Sequence, residues 1–333
     1  MEEKKSSPIK NIITVLISLL IAGVFLWIAL KDFDFPTFKA SLEKANFLWV
    51  ALAGVFGLFA YWFRAIRWNL LLEPMGHKIS NTNSLWSLSF GYLMNLTIPR
   101  SGELARSSAL YGVEKVPVDK SFGTIILERV IDLVCMFVFL GLTLIFKFDA
   151  INSFFANSGA KINPTYIIGI ITAGIVGFVL FLKFKEHFRK FGFISKIIDF
   201  IDGIIAGLTS ILKLKEKSKF LVYTAGIWIC YFFASYLVCF ALPETRDFSL
   251  ADGCFILVVG TFGMIIPASG GIGAYNLAMK FGFMALFLSM GKDAAQGGEM
   301  GLSYSFITLP LQIIIMLVMG LISIPMLAKN RKV

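Results

Sequence analysis

Apolar runs of about twenty residues with almost no charge recur along the chain, at about 11 to 30, 47 to 70, 121 to 146, 165 to 183, 219 to 242 and 300 to 327. A helix of that length crosses roughly 30 Å of hydrocarbon. The pattern therefore predicts an all-α polytopic transmembrane bundle, since lipid leaves the backbone groups of an open sheet edge without partners. Two further apolar stretches, about 83 to 113 and 250 to 290, are interrupted at Ile98-Pro99-Arg100-Ser101-Gly102 and at Ile266-Pro267-Ala268-Ser269-Gly270-Gly271. Proline removes a backbone donor, so a break at membrane depth must be buried in protein or line a wet cavity. Each stretch is expected to form a re-entrant hairpin of two half-helices.

The breaks also supply the strongest internal pattern. Pro99, Ser101 and Gly102 recur as Pro267, Ser269 and Gly270 at one constant offset, and each break lies between a preceding span (47 to 70; 219 to 242) and a following one (121 to 146; 300 to 327). The chain thus reads as one transmembrane domain over 1–333, with repeat 1 at about 47–146 and repeat 2 at about 219–327. If the hairpins return to the side they entered, the repeats are inverted copies. Inverted repeats with broken helices near the midplane are a recurrent plan for secondary transporters, with the substrate at the repeat interface. Half-helix N-termini there suit an anionic group such as phosphate.

Composition agrees with the pattern: 57% hydrophobic residues, 16% charged residues and a mean hydropathy of +0.78 exceed what a water-facing domain can hide. The net charge of +10 does not point to nucleic acid, because the lysines and arginines fall mostly in the short connections between spans, as the positive-inside rule requires. That rule places the N-terminus, 64–82, 183–219 and the C-terminus in the cytoplasm, with the protein in the cell membrane. Two full crossings in each broken stretch would give the same sidedness, so charge leaves both forms open. From Ile194 to Leu212, apolar residues recur at helical spacing between lysine-rich flanks. This part of the basic 183–219 segment is expected to be an amphipathic helix on an anionic leaflet, or a connector between halves.

Lys4, Lys5 and Lys10 ahead of the first run imitate a signal peptide, but the run is too long and Leu30-Lys31-Asp32 offers no small-residue cleavage site. It reads as a retained span. Cys135, Cys230, Cys239 and Cys254 lie in apolar stretches without metal spacing, and His77 and His187 are far apart, so no metal or cofactor is expected.

Ionisable residues inside the apolar stretches carry the candidate chemistry. Glu128, Arg129 and Asp132 lie in the span from about 121, with Glu128 and Asp132 on one face. Glu128 is roughly 10 Å deep at 1.5 Å per residue. Charges at such depth face a cavity or a partner, so these bind substrate or form a buried ion pair with Arg64, Arg67 or Arg106. Arg64 and Arg67 share a face between Trp62 and Trp68 near the cytoplasmic end of their span, as expected of side chains that snorkel to headgroups. Arg100, Glu103 and Arg106 follow Pro99, so a half-helix begins with charges. Together these residues outline a basic, acid-balanced cavity open to the cytoplasmic leaflet, suited to a phospholipid or polyprenyl-phosphate headgroup.

Arg64 to Trp68, Ile98 to Arg106, Leu127 to Leu133 and Pro267 to Gly273, in this order and spacing, resemble the transmembrane flippase-like domain of the lysylphosphatidylglycerol synthase family over nearly the whole chain. With these motifs added, the candidate substrate-binding set is Arg64, Arg67, Pro99, Arg100, Gly102, Glu103, Arg106, Glu128, Arg129, Asp132, Pro267, Ser269, Gly270, Gly271, Gly273 and Asn276. Where the resemblance leads one to expect an acidic residue, this chain has Asn276; if that acid sets headgroup choice, the substrate differs. In two-domain members the resemblance implies movement of aminoacylated phosphatidylglycerol between leaflets, with a separate soluble domain attaching the amino acid from aminoacyl-tRNA. The chain ends at Val333 soon after its last span, so aminoacyl transfer is not expected of it.

The expected function is a lipid transporter working by alternating access, with membrane lipids as partners. No phosphate-loop motif for ATP occurs, so movement would be downhill or ion-coupled, with Glu128 or Asp132 as a proton carrier. One alternative is a membrane enzyme of lipid headgroup modification, phosphatidylglycerol lysyltransferase-like by family name, with Glu128 or Asp132 as general base. Another is a scaffold for a separate lipid-modifying enzyme.

Overall fold

A computed structural model describes residues 42–98, 101–157, 214–266 and 271–331, the side chains of 153–157 excepted, and the isolated positions 20, 24, 27, 36, 39, 183 and 198. Among the described residues there are helices and no strand: α1 (Phe47–Leu72), α2 (Asn81–Thr97), α3 (Gly102–Glu114), α4 (Val118–Phe146), α5 (Phe148–Asn157), α6 (Lys217–Cys239), α7 (Leu250–Ile265), α8 (Ala274–Ser289) and α9 (Ala294–Lys329). Four of the expected spans appear as α1, α4, α6 and α9, each long and apolar enough to cross a membrane. The spans expected at 11–30 and 165–183, and the amphipathic helix expected within 183–219, lie outside the described residues.

These helices present their apolar side outward. On α4 the buried stripe is Ser121, Thr124, Ile125, Glu128 and Ile131, while Ile126, Leu133, Val134, Phe137, Val138, Ile145 and Phe146 are exposed. The stripe has helical spacing but carries the polar residues inside, the reverse of a helix in water. Local sequence sets the helix starts: Asn46 caps α1, Ser80 caps α2, Asp293 caps α9, and Ser249 with Asp252 makes a capping box on α7.

Each broken stretch is a pair of short helices. α2 has 17 residues, α3 has 13, and α7 and α8 have 16 each. At 1.5 Å per residue even the longest extends only about 26 Å, short of a membrane's roughly 30 Å. α2 and α3 meet closely at Gly91 and Gly102. A Cβ on Gly91 would lie 2.7 Å from the Gly102 carbonyl oxygen, and one on Gly102 would run into the Gly91 carbonyl and the Asn95 amide. The Asn95 Oδ1 accepts the Gly102 N–H at 2.7 Å, holding the start of α3 against α2. Gly271 and Gly273, ahead of α8, have φ of +76° and +82°, which suits glycine.

The helices α1–α4 and α6–α9 follow the same order of long, short, short and long, and their neighbours repeat too. α1 packs on α2, α2 on α3 and α3 on α4, as α6 packs on α7, α7 on α8 and α8 on α9; between the sets, α1 packs on α6, α2 on α9 and α7 on α4. α1 and α6 run antiparallel, because Trp49 meets Phe240, Phe56 meets Phe233 and Phe63 meets Tyr223.

The α2–α9 and α4–α7 contacts correspond in detail. Asn330, the C-cap of α9, donates to Asn83 in the first turn of α2 at 2.7 Å. Lys147, the C-cap of α4, pairs with Asp252 in the first turn of α7 at 2.5 Å. α2 follows the end of α1, α7 follows the end of α6, and the Asn46 N–H bonds to Ala241 O where α1 begins and α6 has just ended. The two clasps therefore lie at opposite ends of the bundle.

Gly102→Ala is expected to lower stability by ~1–3 kcal/mol through overpacking, read as a lower unfolding midpoint in mild detergent. Gly112→Ala on the same helix, where a Cβ meets nothing within 4 Å, should leave the midpoint unchanged or raise it slightly.

Candidate functional site

Arg64 and Arg67 stand one turn apart on α1, and Glu128 and Asp132 one turn apart on α4, so each pair points along one face. Where those faces meet, with Arg106 of α3 beside them, five charges alternate in a chain. Arg64 pairs with Asp132 through Nη2 and Oδ2. Arg67 Nη2 lies 3.1 Å from Asp132 Oδ1 and 3.5 Å from Glu128 Oε1, and Arg106 Nη1 lies 2.7 Å from Glu128 Oε2. Arg67 is 0% exposed, Glu128 1%, and Arg64 and Arg106 5% each. Charges so removed from solvent persist when paired and hydrogen-bonded.

Neutral side chains hold the chain in place. Arg64 Nη1 donates to the Tyr92 hydroxyl at 2.9 Å, and Arg67 Nη1 to Thr224 Oγ1 on α6 at 3.4 Å. The Arg106 guanidinium lies 3.6 Å over the ring of buried Trp68, a desolvated cation–π contact of about 2 kcal/mol. Trp68 Nε1 donates to Thr124 Oγ1 at 2.8 Å, and that hydroxyl donates to Ser121 O at 2.7 Å.

A cleft of about 240 Å³, open mouth included, adjoins the chain and is lined by Arg64, Tyr92, Asn95, Gly102, Glu103, Arg106 and Arg129, among others. Its interior is narrow, with room for about one water molecule. Glu103 and Arg129, partly exposed, form a pair there at 2.9 Å. Arg106 Nε and Nη2, and Nε of Arg64 and Arg67, are buried with no hydrogen-bond partner among the described residues. Among the described residues three buried guanidiniums face two carboxylates, so this charge chain carries one positive charge in excess.

Of the expected site residues, the structure brings together Arg64, Arg67, Gly102, Glu103, Arg106, Glu128, Arg129 and Asp132. Pro99, Arg100, Pro267, Ser269 and Gly270 lie outside the described residues. Gly271, Gly273 and Asn276 precede or open α8, where Asn276 Oδ1 accepts the Gly273 N–H at 3.0 Å and its Nδ2 donates to Ser305 at 2.8 Å, a separate neutral network. Of the two readings of Arg64 and Arg67, snorkelling to headgroups is corrected and the buried ion pair is the one found: two carboxylates one helix away hold both inside. Sequence reasoning missed Tyr92 and Asn95, although their spacing of three within an apolar stretch is a polar stripe. It also took Trp68 for an interfacial residue, when its ring supports Arg106.

The second set of helices keeps the positions without the charges. Counted from the helix starts, Tyr304 and Thr308 of α9 stand where Glu128 and Asp132 stand on α4. Tyr304 OH donates to Ser235 O at 2.8 Å, and Tyr275 OH lies 3.0 Å from Thr308 Oγ1.

A family model described as lysylphosphatidylglycerol synthase TM region matches residues 15–318, more than half of the chain. The chain belongs to that family. No curated protein and no solved structure matches it. This lysylphosphatidylglycerol synthase TM region protein is a multi-pass membrane protein of a family whose name refers to lipid headgroup chemistry.

Glu128→Gln leaves Arg67 and Arg106 short of a counter-charge and is expected to cost ~3–5 kcal/mol. Glu103→Gln, in the partly exposed pair at the cleft, should cost under about 1 kcal/mol. Unfolding midpoints of the two variants in one detergent give the comparison.

Proposed function

We propose that this protein is a lipid flippase that takes a phosphate-bearing headgroup between leaflets by alternating access. The observation that carries the reading is a buried charge chain with one excess positive charge beside a cleft into which the first turn of a half-length helix opens. A cation at membrane depth calls for an anion, and a helix N-terminus favours the same sign. Membrane lipids are the abundant phosphate bearers there.

The matching order and pairing of the helices support an inverted repeat. Helices that exchange places between the halves, α1 and α6, are antiparallel, so the relating axis lies across them, in the plane of the membrane, as in many transporters. On this reading α2–α3 and α7–α8 are the re-entrant hairpins, and the Asn330–Asn83 and Lys147–Asp252 clasps close the two ends. With both clasps made and the cleft narrowed, the conformation fits an occluded state. The positive-inside pattern puts both termini, and the Asn330–Asn83 clasp, on the cytoplasmic side of the cell membrane.

Fluorescent phospholipids in liposomes carrying the purified protein should change leaflet with wild type. The rate should fall at least tenfold with Arg106→Lys, which keeps the charge but loses the planar fork, and stay unchanged with Phe137→Leu on the outer face. No movement over a range of lipids, with headgroup chemistry on supplied donors instead, would replace the flippase by an enzyme.

The clasps give a separate test. In a background with the native cysteines replaced, a short thiol-reactive cross-linker between cysteines at 83 and 330, or at 147 and 252, should stop movement in either case, and a cleavable linker should restore it. Movement that persists through both cross-links rules out gating at these ends.

A further inference from the structure

We infer that the cleft selects a headgroup whose phosphate bears a single negative charge, a phosphodiester in preference to a phosphomonoester, and that Arg106 is the side chain that meets it. The inference rests on the flippase reading of the same site and decides between two substrate classes which that reading leaves open, phospholipids and polyprenyl monophosphates.

Arg64, Asp132, Arg67, Glu128 and Arg106 alternate in sign and end on a cation at both ends. The Glu103–Arg129 pair is balanced within itself and leaves the excess among the described residues at one. A monoanion beside Arg106 completes the alternation and neutralises the buried group. A phosphomonoester at neutral pH carries about −1.5 to −2, and its second charge would be buried unpaired, on the far side of Arg106 from Glu128 and in a cleft that Glu103 also lines. Desolvating an unpaired charge costs several kcal/mol, so the monoester has to be protonated to fit.

Of the two terminal arginines, Arg64 has Nη2 on Asp132 and Nη1 on the Tyr92 hydroxyl, with only Nε left over. Arg106 has committed only Nη1, to Glu128, while Nε and Nη2, which form one edge of the guanidinium plane, have no partner among the described residues. That edge is the fork that binds phosphate through two parallel N–H donors. The Trp68 ring beneath fixes the plane, so the fork is set before a ligand arrives. Arg106 also lines the cleft, with its fork buried in this narrowed conformation. In the second half, hydroxyls of Tyr304 and Thr308 replace the carboxylates, which leaves the first half as the anion-selecting one.

The test uses the purified full chain in non-ionic detergent. Dihexanoyl phosphatidylglycerol, a diester, and dihexanoyl phosphatidic acid, a monoester, are titrated between about pH 5.5 and 8, with binding read from the unfolding midpoint. The diester affinity should be level across the range. The monoester affinity should fall about tenfold per pH unit above its second pKa near 6, giving a preference for the diester of roughly a hundredfold at pH 8. Arg106→Lys should weaken diester binding at least tenfold, and Asp132→Asn, which raises the excess charge to two, should narrow the preference at pH 8. Competition by dimethyl phosphate assigns recognition to the diester group itself; binding of the lipid alone assigns it to the headgroup held in lipid.

Monoester bound as tightly as diester by wild type at pH 8 overturns the inference, and that comparison needs no variant to fold. Diester binding that is indifferent to Arg106→Lys overturns the role of Arg106. Both lipids bound without charge preference removes the inference and leaves headgroup binding standing, whereas neither lipid bound at any pH removes the reading beneath it.

Discussion

A guanidinium shut away from water has to be met by carboxylates, and around Arg67 that requirement brings three helices into one arrangement. Its Nη2 lies between Asp132 and Glu128, which fixes the rotation of α4 against α1. Glu128 has a second oxygen to fill and takes Arg106, which fixes α3. No apolar contact in a lipid environment is as selective, because the lipid tails are as apolar as the side chains they would replace. The polar chain thus determines helix rotation, while the aromatic contacts between α1 and α6 determine how those two long helices lie along each other.

The same constraint accounts for the difference between the two halves. Both use short paired helices closed by glycine contacts, and both tie a long helix's C-terminal cap to the first turn of a short helix in the other half. One tie is ionic, Lys147 with Asp252, and the other is an amide pair, Asn330 with Asn83. In the interior the contrast is sharper at corresponding positions: Glu128 and Asp132 on α4, the hydroxyls of Tyr304 and Thr308 on α9. A bundle with two full sets of buried charges would have to hold both against desolvation; one set with a neutral counterpart keeps the chemistry in one place.

Much of this was legible in the chain. Hydropathy located α1, α4, α6 and α9, because the length needed to cross hydrocarbon is a one-dimensional property. Pro99, Gly102, Pro267 and Gly270 marked the separation of the short helices. Glu128 and Asp132 stood out because a carboxylate in an apolar run is costly wherever the run packs. For Arg64 and Arg67 both snorkelling and a buried ion pair stayed open, since their position near a helix end fits both lipid and protein partners, and the choice depends on what lies across from them. Trp68 and Thr124 gave no signal, for a tryptophan beside an arginine is common at membrane surfaces.

The sequence by itself determined that the chain spans a membrane with helices, where its long apolar helices run, that two stretches are broken, and that Glu128 and Asp132 are carboxylates inside an apolar run. These follow from the local match of side chains to solvent. Only the tertiary structure decided that Arg64, Arg67 and Arg106 share two carboxylates, that Trp68 supports Arg106, and that one positive charge is left over beside a cleft. Those facts depend on residues separated by 22 to 68 positions in the chain, and charge balance is a property of a place in space, counted only once the helices that contribute to it have been packed.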